Sequence, residues 1–82
     1  MTEVNTTLIR ALADKYGQVP FPKQFGQDGN AIALVSVTRN ALKRAGWPSD
    51  ALAEFQRLAL QNEYNEVINC CLTCFSHETD ND

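Results

Sequence analysis

Apolar residues recur every three to four positions over most of the chain, and this spacing predicts helices rather than strands. In the first segment they share one face, and Gly17 follows as a typical residue beyond a helix end. We therefore predict a first helix over residues 4–16. Its apolar face consists of Val4, Leu8, Ile9, Leu12 and Tyr16.

A long loop is predicted over residues 18–29. Pro20 and Pro22 exclude a regular helix or a central strand, and the Asp28-Gly29 pair is typical of a turn. The loop is too apolar for a solvated linker, so we expect it to fold back as a lid over the core, with the apolar residues Val19, Phe21 and Phe25. Alternatively, its prolines form an extended ligand for a partner's aromatic groove.

The second helix is predicted to follow Asn30, a good N-cap, and to run to Ala45, just before Gly46. Its first residues, AIALVSVT, are rich in strand formers and could form a strand. The residues that follow keep the apolar positions on one face, which favours the helix. That face consists of Leu34, Val35, Thr38, Ala41, Leu42 and Ala45.

Two further helices are predicted in the second half of the chain. Ser49 can cap the third helix, which ends near Gln61 or Asn62 and has an inner side of Leu52, Phe55, Leu58 and Ala59. The fourth has the most regular apolar spacing of the chain, at Tyr64, Val67, Ile68, Cys71, Leu72 and Phe75. The predicted fold class is thus all-α: a small irregular bundle of about four short helices with one long loop that contains Pro and Gly.

The order of these segments resembles small uncharacterised proteins of bacteria and their phages. The resemblance covers most of residues 16–75 and lies in the loop ending in DGNA, the helix closing in ALKRAGW, and the segments EFQRLAL and EYNEVINCCLTCF. It implies a short accessory protein of a phage or mobile element, without a particular activity.

Composition and charge narrow the function further. The 82 residues, 44% of them hydrophobic, suffice for one core, so we predict a single domain over residues 1–76 and a flexible acidic tail over residues 77–82. The tail holds three of the ten acidic residues, which leaves a body with seven acidic and seven basic residues. Without clustered positive charge, binding to nucleic acid or to an anionic membrane is not expected.

The chain contains no apolar run suited to a signal peptide or a membrane span. Its three cysteines are odd in number and crowded into residues 70–74, unlike the disulfide frameworks of small secreted domains. We therefore expect a cytoplasmic protein with reduced thiols.

The cysteine cluster is the candidate for chemistry. If the fourth helix continues, Cys70, Cys74 and His77 share one stripe. Zinc needs about four tetrahedral ligands, usually from two separate segments, and no cysteine or histidine lies outside residues 70–77, so the cluster could complete a site within one chain only with a carboxylate. We predict no metal, no cofactor and no catalytic residue, because thiol catalysis needs a base and an orienting group. We expect Cys71 to lie in the core and the joint replacement of Cys70 and Cys74 with Ser to leave the fold intact. The alternative is a metal shared across an oligomer interface.

The remaining prediction is a protein-interaction module that binds another protein or itself. Its partner surface is predicted on one stripe of the second helix, formed by Ile32, Ser36, Arg39 and Lys43, where an apolar anchor lies among polar and basic residues. Alternatively, the loop of residues 18–29 covers Ile32. A competing class is a nucleic-acid-binding regulator with helix-turn-helix-like packing, although the third helix offers only Arg57 to DNA and the basic residues of the second helix would have to serve instead.

Overall fold

The computed structural model describes residues 2–27 and 29–79, and the side chains of residues 5–27 and 29–76. Its described part contains four helices and two short strands. In chain order they are α1 (Thr2–Tyr16), β1 (Val19–Phe21), α2 (Ala31–Arg44), α3 (Ser49–Leu60), α4 (Tyr64–Thr73) and β2 (Phe75–Thr79). The predicted bundle of about four short helices is confirmed, whereas the two strands were not predicted.

The ends of α2 follow from its flanking residues. The Asn30 side chain accepts a hydrogen bond from the backbone N–H of Ile32 at 2.8 Å, as its N-cap prediction requires. Beyond the C-cap residue Ala45, Gly46 has a φ of 103°, which a residue with a side chain rarely adopts. The predicted cap at Ser49 is wrong, because Ser49 is the first residue of α3 and Pro48 is the N-cap of this helix. Proline has no backbone N–H, but no hydrogen bond of the helix is lost, because an N–H at a helix start has no partner within the helix.

The core lies where α1 and α2 each pack against both α3 and α4. It includes the whole predicted face of α2 except the exposed Ala45, and the whole predicted inner side of α3. The largest fully buried apolar side chains are Phe55, Ile9, Leu42 and Val67. On α4 the prediction is wrong for Tyr64 and Leu72, which are exposed, because the buried face is rotated toward Cys70 and Cys74.

The lid predicted for the loop is confirmed, and it contains β1, which pairs with β2. Val19 is buried, and the rings of Phe21, Phe25 and Phe75 pack together with centroids 5.0–5.5 Å apart. This aromatic cluster holds Phe75 beside the loop, so the chain leaves the helical path at Cys74 and extends. β2 then pairs in parallel with β1, with Val19 opposite Phe75 and an irregular register.

This pairing changes what was predicted for the end of the chain. The predicted fourth helix included Phe75, but α4 ends at Thr73. Of the predicted flexible tail, residues 77–79 have their backbone in β2, and residues 80–82 lie outside the described residues. Among the described helices, none is long and apolar enough to cross a membrane.

Candidate functional site

The three cysteines lie in the core rather than at a surface site. Cys70, Cys71 and Cys74 are free thiols with 0% of their surface exposed. Their sulfurs contact polar groups of the core at 3.6–3.8 Å: the Asn62 side chain and the carbonyls of Leu34 and Cys70. Cys71 is buried as predicted, but so are its two neighbours.

Burial also sets the charge of these thiols. Desolvation raises the pKa of all three above the ordinary 9.0, to about 11 for Cys71 and further for Cys74. A thiol acts as a nucleophile or metal ligand only as the thiolate, so this environment opposes both roles. The premise that Cys70, Cys74 and His77 share a helical stripe is wrong, because α4 ends before His77. Within the described part of the chain, no group of three or more His, Cys, Asp or Glu residues is arranged to hold a metal.

The raised pKa values predict a loss of stability at alkaline pH. Above pH 9 the unfolded chain releases thiol protons that the folded chain keeps, up to about pH 11 for Cys71. The free energy of unfolding should therefore fall by about 1.4 kcal/mol per pH unit for each such thiol. Urea denaturation at several pH values measures the fall. In the Cys71→Ala variant, the fall in the free energy of unfolding per pH unit should be smaller by the amount that one thiol contributes. A fall equal to that of the unchanged protein would contradict the raised pKa of Cys71.

The predicted partner stripe lies on the solvent side of α2. Ile32 is 65% exposed, and Ser36 and Lys43 are also exposed. Arg39 is half-buried, and its Nε atom is covered without a hydrogen-bond partner among the described residues. The alternative that the loop of residues 18–29 covers Ile32 is wrong, because the aromatic residues of the loop pack toward Phe75 instead.

Further residues of α2 extend this surface. Val37, Asn40 and Arg44 lie beside the stripe, where they and Lys43 meet Gln24 of the loop in an open groove of about 520 Å³. We call the predicted stripe together with these three residues the outer face of α2. It carries three cations, and α2 contains no acidic residue. A patch of uncompensated positive charge with an exposed aliphatic end is suited to binding an anionic, partly apolar partner.

A larger groove of about 730 Å³ lies between α1 and α4, but its polar groups mostly bond to one another. Thr73 donates to the carbonyl of Asn69 at 2.8 Å, and the Asn69 side chain donates to the Glu66 carboxylate at 3.4 Å. Arg10 is the one cation among the residues that line this groove, and Glu66 is the one acid. These internal bonds leave it less able than the outer face of α2 to bind a charged ligand.

The surface of α3 is electrostatically compensated. Arg57 forms an ion pair with Glu54 one turn earlier, through both nitrogens of its guanidinium edge. Asp50 lies in the first turn of the same helix. The helix that a helix-turn-helix would place in the major groove therefore offers no uncompensated cation to DNA.

Sequence reasoning found Ile32, Ser36, Arg39 and Lys43 but not the groove beside them. Arg44 could have been found from the charge pattern, since α2 combines three cations with no acid. The contribution of Gln24 to the groove could not have been found from the sequence, because it depends on where the loop returns to α2. In comparisons with known proteins, no family model, curated protein or solved structure matches this chain.

Proposed function

We propose that this chain is a small helical protein-interaction module that binds another protein, or a second copy of itself, through the outer face of α2. No catalytic step and no cofactor is part of this function, since the thiols are buried and burial raises their pKa values. The free thiols suit a reducing compartment such as the cytoplasm. A role as an accessory protein of a phage or mobile element stays a prediction of the sequence resemblance.

The exposure of Ile32 is the observation that carries the proposal. This side chain has the largest exposed fraction among the large apolar residues described, whereas the loop residues Val19, Phe21 and Phe25 and the apolar residues on the buried face of α2 lie in the core or pack against it. Tyr64, which is 46% exposed, has its hydroxyl beside Gly29, so an aromatic ring also lies near the start of α2. Covering Ile32 on association would contribute about 1–2 kcal/mol from apolar burial alone.

Site-specific photo-cross-linking tests whether this face meets another protein. A photoreactive residue at Ser36, in the middle of the outer face, is compared with one at Gln56, an exposed position of α3. Irradiation of the purified protein detects a second copy, and irradiation in an extract of the producing cells detects another protein. We expect a discrete cross-linked product from position 36 and none from position 56.

The Ile32→Ser variant should lose this product without unfolding. Because Ile32 is mostly exposed, we expect the free energy of unfolding to change by less than about 0.5 kcal/mol. Association should weaken about tenfold, as the apolar burial is lost. Leu60→Ser, at the partly exposed end of α3, is the matched control and should leave the product unchanged. Equal products from both photoreactive positions, or from the variant and the unchanged protein, would refute the proposal.

The alternative function is a nucleic-acid-binding regulator, which is favoured only by the three cations of α2. Against it stand the formal charge of −3 and the ion pair that occupies Arg57. Phosphate contacts release counterions, so nucleic-acid binding would weaken steeply with salt. Retention on a DNA column that falls steeply as salt rises would favour this alternative over the protein-interaction module.

A further inference from the structure

Arg44 lies between two grooves at the end of α2. On one side is the groove of about 520 Å³ that Arg44 shares with Lys43, Asn40, Val37 and Gln24. On the other side is a smaller groove of about 300 Å³, formed with β1 and the residues around it. Its remaining lining consists of Val19, Pro20, Pro22, Ala41 and Ala45. One guanidinium thus borders a groove with mostly polar side chains, here called the polar groove, and one whose other residues are all Val, Pro or Ala, here called the apolar groove.

The charges in the polar groove are uncompensated. Lys43 and Arg44 are both exposed, and neither forms an ion pair or hydrogen bond within the part of the chain that the structure describes. Cations in the last turn of a helix offset the partial negative charge of its free carbonyls. This effect explains why Lys43 and Arg44 lie at the end of α2. It does not explain why the polar groove and the apolar groove meet at Arg44.

The apolar groove is suited to a side chain rather than to an added strand. Val19 and Phe21 pair with β2, so the backbone nitrogen of the intervening residue, Pro20, lies toward the other edge of β1. Proline has no N–H to donate there, which prevents a partner strand from pairing fully with this edge. The ring of Pro20 and the methyl group of Ala45 are nevertheless exposed and offer an apolar surface.

We propose that these two grooves bind an acidic segment of a partner protein in which an apolar residue lies next to a carboxylate. Arg44 holds the carboxylate with two parallel N–H donors, Lys43 attracts a second acidic residue, and the apolar side chain packs against Pro20 and Ala45. This inference rests on the proposed function and names the chemistry of its partner. A nucleic acid fits less well, because two exposed cations neutralise few phosphates. The apolar groove also offers no charged partner to a phosphate other than Arg44.

Fluorescence anisotropy with a labelled peptide of about eight alternating aspartate and leucine residues tests the proposal. The full-length protein should bind this peptide and should bind much more weakly to the version with asparagine in place of aspartate. Arg44→Gln removes the charge but keeps a long polar side chain, and should weaken binding about tenfold or more. Arg10→Gln makes the same change at an exposed arginine in the groove between α1 and α4, and should leave the affinity unchanged. Circular dichroism should show the same thermal transition for all three proteins, since both arginines are exposed.

Four outcomes would overturn the inference. In the first two, the acidic peptide does not bind, or both variants lose the same affinity. In the third, a labelled DNA duplex binds more tightly than the peptide and through Arg44. In the fourth, the peptide binds only after residues 80–82 are removed. In the last case the occupant would be the chain's own acidic segment rather than a partner. If the peptide does not bind while the cross-link from position 36 still depends on Ile32, only this inference fails. If the cross-link is also absent, the proposed function fails with it.

Discussion

Replacing Trp47 with Ala is expected to lower the free energy of unfolding by about 3–5 kcal/mol. The Trp47 side chain is 3% exposed, and its Nε1–H donates a hydrogen bond to the carbonyl of Gly17 at 2.9 Å. Its ring packs against Tyr16 with centroids 5.6 Å apart, so it joins the turn before α3 to the end of α1. A loss of this size is a large part of the stability of a small domain. Urea denaturation followed by circular dichroism measures it, since the variant lacks tryptophan fluorescence.

Trp47→Phe separates packing from hydrogen bonding at this position. Phenylalanine keeps much of the apolar volume but cannot donate to the Gly17 carbonyl, so we expect a loss of about 1–3 kcal/mol. The loss should be smaller than that of Trp47→Ala. A loss below about 1 kcal/mol for Trp47→Ala would show that the Trp47 contacts with α1 contribute little.

The second large effect is expected from the joint replacement of Cys70 and Cys74 with Ser. The sequence alone predicted an intact fold, but both side chains are fully buried, with the Asn62 side chain 3.6 Å from the Cys70 sulfur and the Cys70 carbonyl 3.7 Å from the Cys74 sulfur. Because a C–O bond is shorter than a C–S bond, each serine would bury a hydroxyl farther from these partners than the sulfur is. We expect the free energy of unfolding to fall by about 2–5 kcal/mol, since a buried polar group without a good partner costs about 1–3 kcal/mol. Urea denaturation under reducing conditions gives the value.

Joint replacement of the same residues with Ala provides the matched control. Alanine removes the sulfur atoms without adding a hydroxyl, so the difference between the two double variants reports the cost of burying the hydroxyls. A serine variant as stable as the unchanged protein would mean that the two hydroxyls reach water or bond well to the Asn62 side chain and the Cys70 carbonyl.

The sequence by itself determined the helices of this protein and most of their inner faces. Its apolar spacing placed Leu42 and Phe55 in the core, and local chemistry fixed the start of α2, because the Asn30 side chain needs only the backbone two residues away. It also identified Ile32 as an apolar residue away from the core face of α2. These features depend on neighbours within one or two helical turns, which a sequence contains explicitly.

The tertiary structure decided the features that depend on distant residues. Phe75 continues the helical spacing of α4, yet it lies in β2 because Phe21 and Phe25 offer aromatic partners 54 and 50 positions earlier in the chain. The packing of α1 beside α4 likewise turned Cys70 and Cys74 inward and left Tyr64 and Leu72 exposed. The groove at Arg44 exists because the proline loop returns to the end of α2. Periodicity within a helix predicts that one face is buried, but the direction of that face is set by where the other elements pack.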